Sequence, residues 1–291
     1  MDLSIVIVSW NTRELLRACL KAVQAEIAPL TTEVFVVDNA SADASAEMVG
    51  KDFPWVNLIA NTRNLGFAAG NNQVLRTCTG AMVLLLNPDT ELQPGAIKTL
   101  MEFLATHPKV GVVAPQLLNT DRSIQRSCRR FPTFSGMLFE LLGLSRLFPN
   151  NPRFRQYKML DWNHDGEQEV DQPEGACLLI RREVLNEVGF LDEEFFMLFE
   201  EVDWCYRVKQ HGWQIWFTPG AKVIHHYGQS IKQVKAKMIL SSHKGLFRYW
   251  KKHLRNGRWY LDAPAYAGLM SLAYVRIASY HLKGGRQTAP R

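Results

Sequence analysis

The run Met82-Val83-Leu84-Leu85-Leu86-Asn87-Pro88-Asp89-Thr90-Glu91 decides how this chain folds. Its first five residues are apolar with no polar alternation, which predicts a strand buried on both faces, as in a parallel sheet. Pro88 removes an N–H donor and fixes φ, so the ladder stops there. Asp89 then falls at the carboxyl edge of the sheet, where open α/β folds bind ligands. A carboxylate in that place can hold a hydrated Mg²⁺ or Mn²⁺ that also takes diphosphate oxygens. Asn-Pro-Asp alone describes a plain turn equally well, so the rest of the chain must decide.

Upstream, short apolar runs alternate with helical spacing. Leu3–Val8, Glu33–Val37 and Val56–Ala60 read as strands. Between them Glu14–Ala25 carries Leu15, Leu16, Cys19, Leu20 and Val23 at helical intervals, and a second helix runs to about Val49. Downstream, a helix from Pro94 to Thr106 precedes a strand at Val110–Ala114. The alternation predicts a doubly wound, mostly parallel sheet with helices on both faces. Each strand ends in a polar loop on one edge: Ser9 and Asn11; Asp38, Asn39, Ser41 and Asp43; Arg63, Asn64 and Asn71; Asn87 and Asp89. Asp38 is placed to hydrogen-bond a base or ribose, and Gly66 and Gly70 let the backbone approach a diphosphate. Neither a P-loop nor GxGxxG is present.

Beyond Pro115 the pattern changes. Phe134–Phe148 is strongly apolar, and Asn150–Gln172 is polar and turn-rich, a loop expected over the site. Gly175–Arg182 is strand-like and Glu183–Val188 helical. The aromatic run Phe195–Phe199 then leads into Glu200-Glu201-Val202-Asp203. Three carboxylates at a helix start are either ordinary dipole complements or the source of a general base for an acceptor hydroxyl. Ile215–Pro219 and Lys222–Ile224 read as strands, followed by His225 and His226, which suit a metal site that needs ligands beyond Asp89.

With 291 residues, 47% of them hydrophobic and 21% charged, the chain fits one large domain or a domain with an appendage. No basic segment precedes the first apolar run, so no signal peptide is expected, nor is any stretch a membrane-spanning helix. Five scattered cysteines without CxxC spacing predict a reduced, cytoplasmic protein without structural zinc. The net charge of +6 gathers at Arg122–Arg130 and Lys232–Arg258. Such clusters suit phosphorylated substrates, anionic lipid or nucleic acid. No aromatic-interleaved binding module accompanies them, so nucleic acid is not expected.

Taken in order, these words resemble glycosyltransferase family 2, in particular its bacterial rhamnosyltransferase-like branch. They are Ile7–Asn11, Val37–Asp43, Asn64–Asn72, Leu86–Asp89, Gly175-Ala176, Gly189–Phe196, Glu200–Arg207 and His225–Ser230. The resemblance implies a GT-A fold over residues 1–230, with 1–115 the nucleotide-sugar-binding half and 116–230 the acceptor-binding half. Residues 231–291 would form a basic, amphipathic helical C-terminal extension. It implies an inverting, metal-dependent transfer from a nucleotide-diphosphate sugar, best matched by dTDP-L-rhamnose, to a saccharide or lipid-linked saccharide of the cell surface. Alternatives are a UDP-hexose or UDP-N-acetylhexosamine donor, or a non-catalytic sugar-nucleotide binder. A nucleotidyltransferase is disfavoured because no Gly-rich basic signature lies near the first strand.

Carried over residue by residue, Ser9, Asn11, Asp38, Asn39, Ser41, Arg63, Asn64, Gly66, Gly70, Asn71, Asn87 and Asp89 serve the donor. Asp89 is the second carboxylate of the family's DxD motif, and His225 is the further contact to Mg²⁺ or Mn²⁺. Gly175, Ala176 and Glu200 serve the acceptor, and the catalytic carboxylates are Glu201, Asp203 and Glu200. Two departures stand out: Asn87 replaces the first Asp of DxD, and Glu200-Glu201 replaces the usual Glu-Asp pair, lengthening the base at Glu201 by a methylene. Phe134–Phe148 and Ala263–Leu282 suit the headgroup plane of an anionic membrane, and equally a packed or homo-oligomeric interface; the lipid-linked acceptors of the family favour the inner face of the plasma membrane.

Overall fold

The computed structural model describes residues 1–141, 144–148, 151, 156–226 and 234–287. Strands β1 (Leu3–Ser9), β2 (Thr32–Asp38), β3 (Asn57–Ala60) and β4 (Met82–Leu86) alternate with helices α1 (Arg13–Glu26), α2 (Ser45–Asp52) and α3 (Phe67–Leu75). The strands pair in parallel in the order β3-β2-β1-β4. The apolar run at the centre of the sequence is thus a central strand, as its lack of polar alternation demands.

From β4 the chain turns at Asn87–Asp89 into the short β5 (Thr90–Leu92), then α4 (Ala96–Thr106) and β6 (Val110–Leu118). The small strands β7 (Ile124–Gln125) and β8 (Cys128–Arg129), helices α5 (Phe134–Leu141) and α6 (Leu144–Leu147), and strands β9 (Gln168–Glu169) and β10 (Gln172–Pro173) follow. The chain re-enters the sheet at β11 (Cys177–Arg181), passes through α7 (Arg182–Val188) and α8 (Glu200–Gln210), and closes the sheet with β12 (Gln214–His225). The full order is β3-β2-β1-β4-β11-β6-β12-β5. β11 lies antiparallel between β4 and β6, while β12 runs parallel to β6 and antiparallel to β5.

Two local expectations are corrected. Ile215–Pro219 and Lys222–Ile224 are one strand, interrupted by a register shift between Thr218 and Lys222. Pro219 sits inside that irregularity, where its missing N–H costs no ladder bond. Residues 156–172 do not cover the site but pack on the sheet. Trp162 stacks on the buried His164, both meet Phe217 edge-on, and Val170 N–H donates to the Ile215 carbonyl. The buried Met159 and His164 explain why a polar-looking segment adheres there.

Side chains alternate across the sheet and found two cores. Leu3, Ile5, Ile7, Leu84 and Leu86 face α1, α2 and α4, while Val6, Val8, Val83 and Leu85 face α3, α7 and α8. A third, smaller cluster joins Phe195, Phe199 and Val202 to Leu246 and Tyr249 of α9 (Lys235–Tyr249). The final helix, α10 (Asp262–Gln287), packs on α9. Among the described residues no helix is long and apolar enough to cross a membrane. All five cysteines are free and buried.

Candidate active site

The carboxyl ends of β1, β2 and β4 meet at one edge, because parallel strands joined by helices present all their βα loops on the same side. The loops are tied to one another rather than loose. Asn11 N–H donates to Ser41 Oγ at 2.9 Å, and Asn11 Oδ1 accepts from Ala42 N–H at 2.7 Å. Asn39 Nδ2 donates to the Gly66 carbonyl at 3.0 Å, while its Oδ1 accepts from Asn61 Nδ2. Asn11 is held at φ +51, a conformation that asparagine tolerates better than most side chains. Asp38 is buried; its Oδ2 accepts from Ser41 N–H, and its Oδ1 has no hydrogen-bond partner among the described residues. A buried carboxylate oxygen left without a donor costs free energy until a ligand N–H or O–H reaches it.

These loops border a cavity that Ser9, Trp10, Asn39, Asn64, Gly66 and Phe67 line from the donor side. Asn87, Pro88, Asp89, Glu174, Gly175, Ala176, Phe196–Leu198, Glu200, Glu201 and His225 complete it, with Val234, Lys237 and Met238 from the C-terminal segment. Eleven of the residues expected at the site therefore line one cavity. Asn11, Ser41 and Gly70 support it from behind, Gly70 against Val8. Asn71 is turned inward, its Nδ2 donating to the Phe67 carbonyl of its own helix, and Arg63 is exposed outside the lining.

Asp89 and His225 meet where β12 pairs with β5, His225 standing opposite Thr90 in the ladder. His225 Nε2 lies 3.4 Å from Asp89 Oδ1, and both side chains are buried. His225 Nδ1 is 2.7 Å from Gln125 Oε1, while Gln125 Nε2 donates to Asn119 Oδ1 at 3.0 Å. An amide oxygen only accepts, so Nδ1 carries a hydrogen, and Nε2 is the ligating atom of the neutral ring. Two acceptors so placed suit a cation between them. Among the described residues no cluster of three or more His, Cys, Asp or Glu could hold a metal. Asp89 and His225 would supply two ligands to a hard divalent ion, leaving its other positions to water or other oxygen ligands. Tyr227–Ser230, the rest of the expected His-x-x-Gly-x-Ser word, lie outside the described residues.

Three carboxyl groups form the opposite part of the lining. Burial raises Glu200 well above the usual carboxylate range, and the neighbouring Glu201 adds to the rise. Burial likewise raises Glu201, with Glu174 adding and Arg129 opposing. Glu174 is raised by burial, against the pull of His225 and Arg129. Glu200 Oε2 and Glu201 Oε2 have no hydrogen-bond partner among the described residues. Gly175 lies against Glu201, 3.5 Å separating the place of a Cβ from the Glu201 Cβ. The sequence reading missed Glu174, although it immediately precedes the Gly-Ala word. It also missed Lys237 and Met238, which carry no motif and arrive only through the packing of α9.

Asp203 lies elsewhere. It is wholly buried and outside the cavity lining, and its carboxylate accepts from Arg207 Nε at 3.0 Å, Lys252 Nζ at 2.6 Å and His253 Nε2 at 2.7 Å. Burial alone would raise its pKa, but the bonds from His253 and Lys252 outweigh it and hold the group below the usual range. A carboxylate so engaged is a strut between α8 and the C-terminal segment. Of the three carboxylates expected to include the base, Glu200 and Glu201 line the cavity and Asp203 does not.

The chain is 29% identical over 227 residues to the N-acetylglucosaminyl-diphospho-decaprenol L-rhamnosyltransferase of Mycobacterium tuberculosis, covering 74% of this chain and 73% of that protein. It is 27% identical over 229 residues to a low-salt glycan biosynthesis hexosyltransferase of Haloferax volcanii, covering 77% and 67%. Among solved structures, a mannosyltransferase from Pyrobaculum calidifontis in complex with GDP-Man and Mn²⁺ matches with a TM-score of 0.59 at 18% identity, over 98% of this chain and 80% of that one. The fold is accordingly of the GT-A type. Residues 2–239 match the family described as Glycosyltransferase like family 2, and the chain belongs to that family as a glycosyltransferase.

Proposed function

We propose that this protein is an inverting, metal-dependent enzyme that moves L-rhamnose from dTDP-L-rhamnose to a saccharide or lipid-linked saccharide in cell-surface polysaccharide synthesis. One observation carries the chemistry: the Asp89–His225 pair and the Glu200–Glu201 pair line the same cavity. Donor and acceptor follow the name of the M. tuberculosis relative, a rhamnosyltransferase acting on a sugar-diphospho-polyprenol. Residues 1–115 supply the donor loops and 116–230 the acceptor wall.

Asp38 Oδ1 accepts a hydrogen bond from the base or ribose. Ser9, Asn39, Asn64 and Gly66 shape the wall against which the nucleotide lies. Asp89 and His225 hold Mg²⁺ or Mn²⁺, which when bound offsets the charge that builds on the departing diphosphate. Glu201 accepts the proton of the acceptor hydroxyl as its oxygen forms the new bond to the anomeric carbon. The bond from that carbon to the diphosphate oxygen breaks on the opposite face, and the nucleoside diphosphate leaves. A base raised by burial is better matched to a hydroxyl proton than an exposed carboxylate, provided the pH is high enough to ionise it. Glu200, next to Glu201, and the small Gly175 and Ala176 border the acceptor.

A screen of dTDP-L-rhamnose, UDP-hexoses, UDP-N-acetylhexosamines and GDP-mannose, read by nucleoside diphosphate release with Mn²⁺ and with EDTA, tests this. Release from dTDP-L-rhamnose alone, abolished by EDTA, is expected. Release from a UDP sugar instead overturns the donor, and full activity in EDTA overturns the metal. The lipid-linked acceptor is supported by the C-terminal segment, in which Trp259, Tyr260 and Tyr274 and the cationic Lys251 and Arg258 are all exposed. Such a surface suits the cytoplasmic face of an anionic membrane.

A further inference from the structure

Just before Glu200 the backbone does something costly. Leu198 and Phe199 have φ of +71 and +81, two consecutive non-glycine residues in the left-handed region. Each such residue costs about 1–2 kcal/mol and persists only when its surroundings enforce it. The turn is enforced from both sides. From the donor side, Phe67 N–H donates to the Phe196 carbonyl at 2.9 Å, and Gly66 sits so close that a Cβ there would strike the same oxygen. From the C-terminal side comes α9. Met238, Ser241, Gly245 and Tyr249 recur at helical spacing and form one stripe along it. Met238 lines the cavity, Ser241 Oγ donates to the Met197 carbonyl at 2.8 Å, and Tyr249 is buried in the third core cluster. A Cβ on Gly245 would lie 2.8 Å from the Leu198 carbonyl oxygen and 3.3 Å from Phe199 Cβ.

We infer that Ser241 and Gly245 are positioning residues for the reaction: through them α9 holds the Met197–Phe199 turn and so sets where Glu200 and Glu201 stand in the cavity. The inference rests on the two glutamates being the acceptor-side carboxylates proposed above. Beyond the turn, Arg248 and Lys252 bond Asp192, and Lys252 and His253 bond Asp203, so the same segment grips α8 and the loop that leads to it. The C-terminal segment is then a working part of the site.

The test compares Gly245→Ala, Ser241→Ala and Ser241→Thr with the parent chain, using the donor found in the screen. The alanine at 245 must push the Leu198 carbonyl back towards ordinary contact, a shift that misplaces the base and lowers kcat about tenfold or more. Ser241→Ala lowers kcat less, and Ser241→Thr, which keeps the hydroxyl, restores it. The donor KM changes less than kcat, since none of the substitutions alters a residue of the donor loops. Carbodiimide labelling of Glu200 and Glu201, read by peptide mass, rises in Gly245→Ala as the turn opens. Unchanged kcat and unchanged labelling in both alanine variants overturn the inference. So does a loss in which kcat falls without labelling change and threonine fails to rescue. If the parent chain releases no nucleotide from any donor, the proposed reaction falls, while the labelling still decides whether α9 sets the turn.

Discussion

At the scale of single residues the site divides into groups that are satisfied and groups that are not. Asp203 has three hydrogen-bond partners, Arg207, Lys252 and His253, whereas Glu200 Oε2, Glu201 Oε2 and Asp38 Oδ1 have none among the described residues. Glu201→Gln keeps the size but cannot take a proton, so kcat should fall by about 10²–10⁴ with the donor KM unchanged. Asp203→Asn should instead lower stability, towards the low end of about 3–5 kcal/mol because its partners are partly exposed, and leave the rate per folded molecule nearly intact. A denaturant titration beside the rate assay separates the two, and a normal Glu201→Gln with a crippled Asp203→Asn would return the base to Asp203. Asp89→Asn should abolish turnover at any practical Mn²⁺ concentration with little change in melting temperature. Glu200 gives a test that needs no substrate. Its carboxyl is raised in the folded state, so the native protein holds that proton more tightly than the unfolded chain does. The stabilisation is complete below the ordinary carboxylate range and is lost as pH rises through the raised native value. The melting temperature of Glu200→Gln minus that of the parent should therefore grow more positive between pH 4 and pH 8; a pH-independent difference refutes the buried, raised carboxyl.

At the scale of elements, Gly66 is where two loops touch. It combines φ +87 with a contact to the Phe196 carbonyl that leaves no room for a Cβ. Gly66→Ala should cost about 1–3 kcal/mol in stability and raise the donor KM, because both the donor loop and the turn before Glu200 must yield. A variant of normal stability and normal KM would show that the two loops are independent. Such contacts also mark what sequence could and could not tell. The buried strands β1, β2 and β4 were legible because runs of branched residues have one plausible home, the middle of a sheet. Their polar carboxyl-end loops were legible as one site because parallel topology gathers them. The short β5 was not, since three residues after a proline carry no periodicity, and its pairing with β12 is purely tertiary. The break expected at Pro219 was absorbed by a register shift inside one strand. Glu200, Glu201 and Asp203 look alike in sequence as helix-start acids; the bonds that Lys252 and His253 bring to Asp203 from about fifty residues downstream are tertiary and leave no local signal. Glu174 was hidden for the opposite reason, being one residue in a stretch whose charges gave no pattern.

At the scale of the whole molecule, charge and aromatic surface are sorted by the C-terminal segment. Within the basic run 244–258, expected to suit phosphorylated substrates, anionic lipid or nucleic acid, Arg248 and Lys252 pair with Asp192, Glu194 and Asp203, and Arg255 pairs with Asp262. Lys244, Lys251 and Arg258 remain exposed. Between Ala263 and Leu282, Arg276 is the sole Lys, Arg, Asp or Glu. This helix leaves Tyr274 63%, Val275 61% and Leu282 74% exposed, and Trp259, ahead of it in the chain, is 72% exposed. Interfacial aromatics beside a few cations are the composition of a surface that rests in lipid headgroups. At about 1 kcal/mol each, three basic residues contribute about 3 kcal/mol, roughly a hundredfold in affinity, enough for reversible attachment. Deleting the segment is a poor test, because α9 holds the turn before Glu200. Surface substitutions are cleaner. The full chain should co-sediment with phosphatidylglycerol-containing vesicles and not with phosphatidylcholine alone, and raised salt should weaken the binding. Trp259→Ser with Tyr274→Ser, or Lys251→Glu with Arg258→Glu, should reduce it several-fold while leaving sugar transfer to a soluble acceptor intact. If vesicle binding is absent and sedimentation velocity shows a dimer that the Trp259→Ser, Tyr274→Ser pair dissociates, the surface meets a second copy of the chain and the membrane assignment fails.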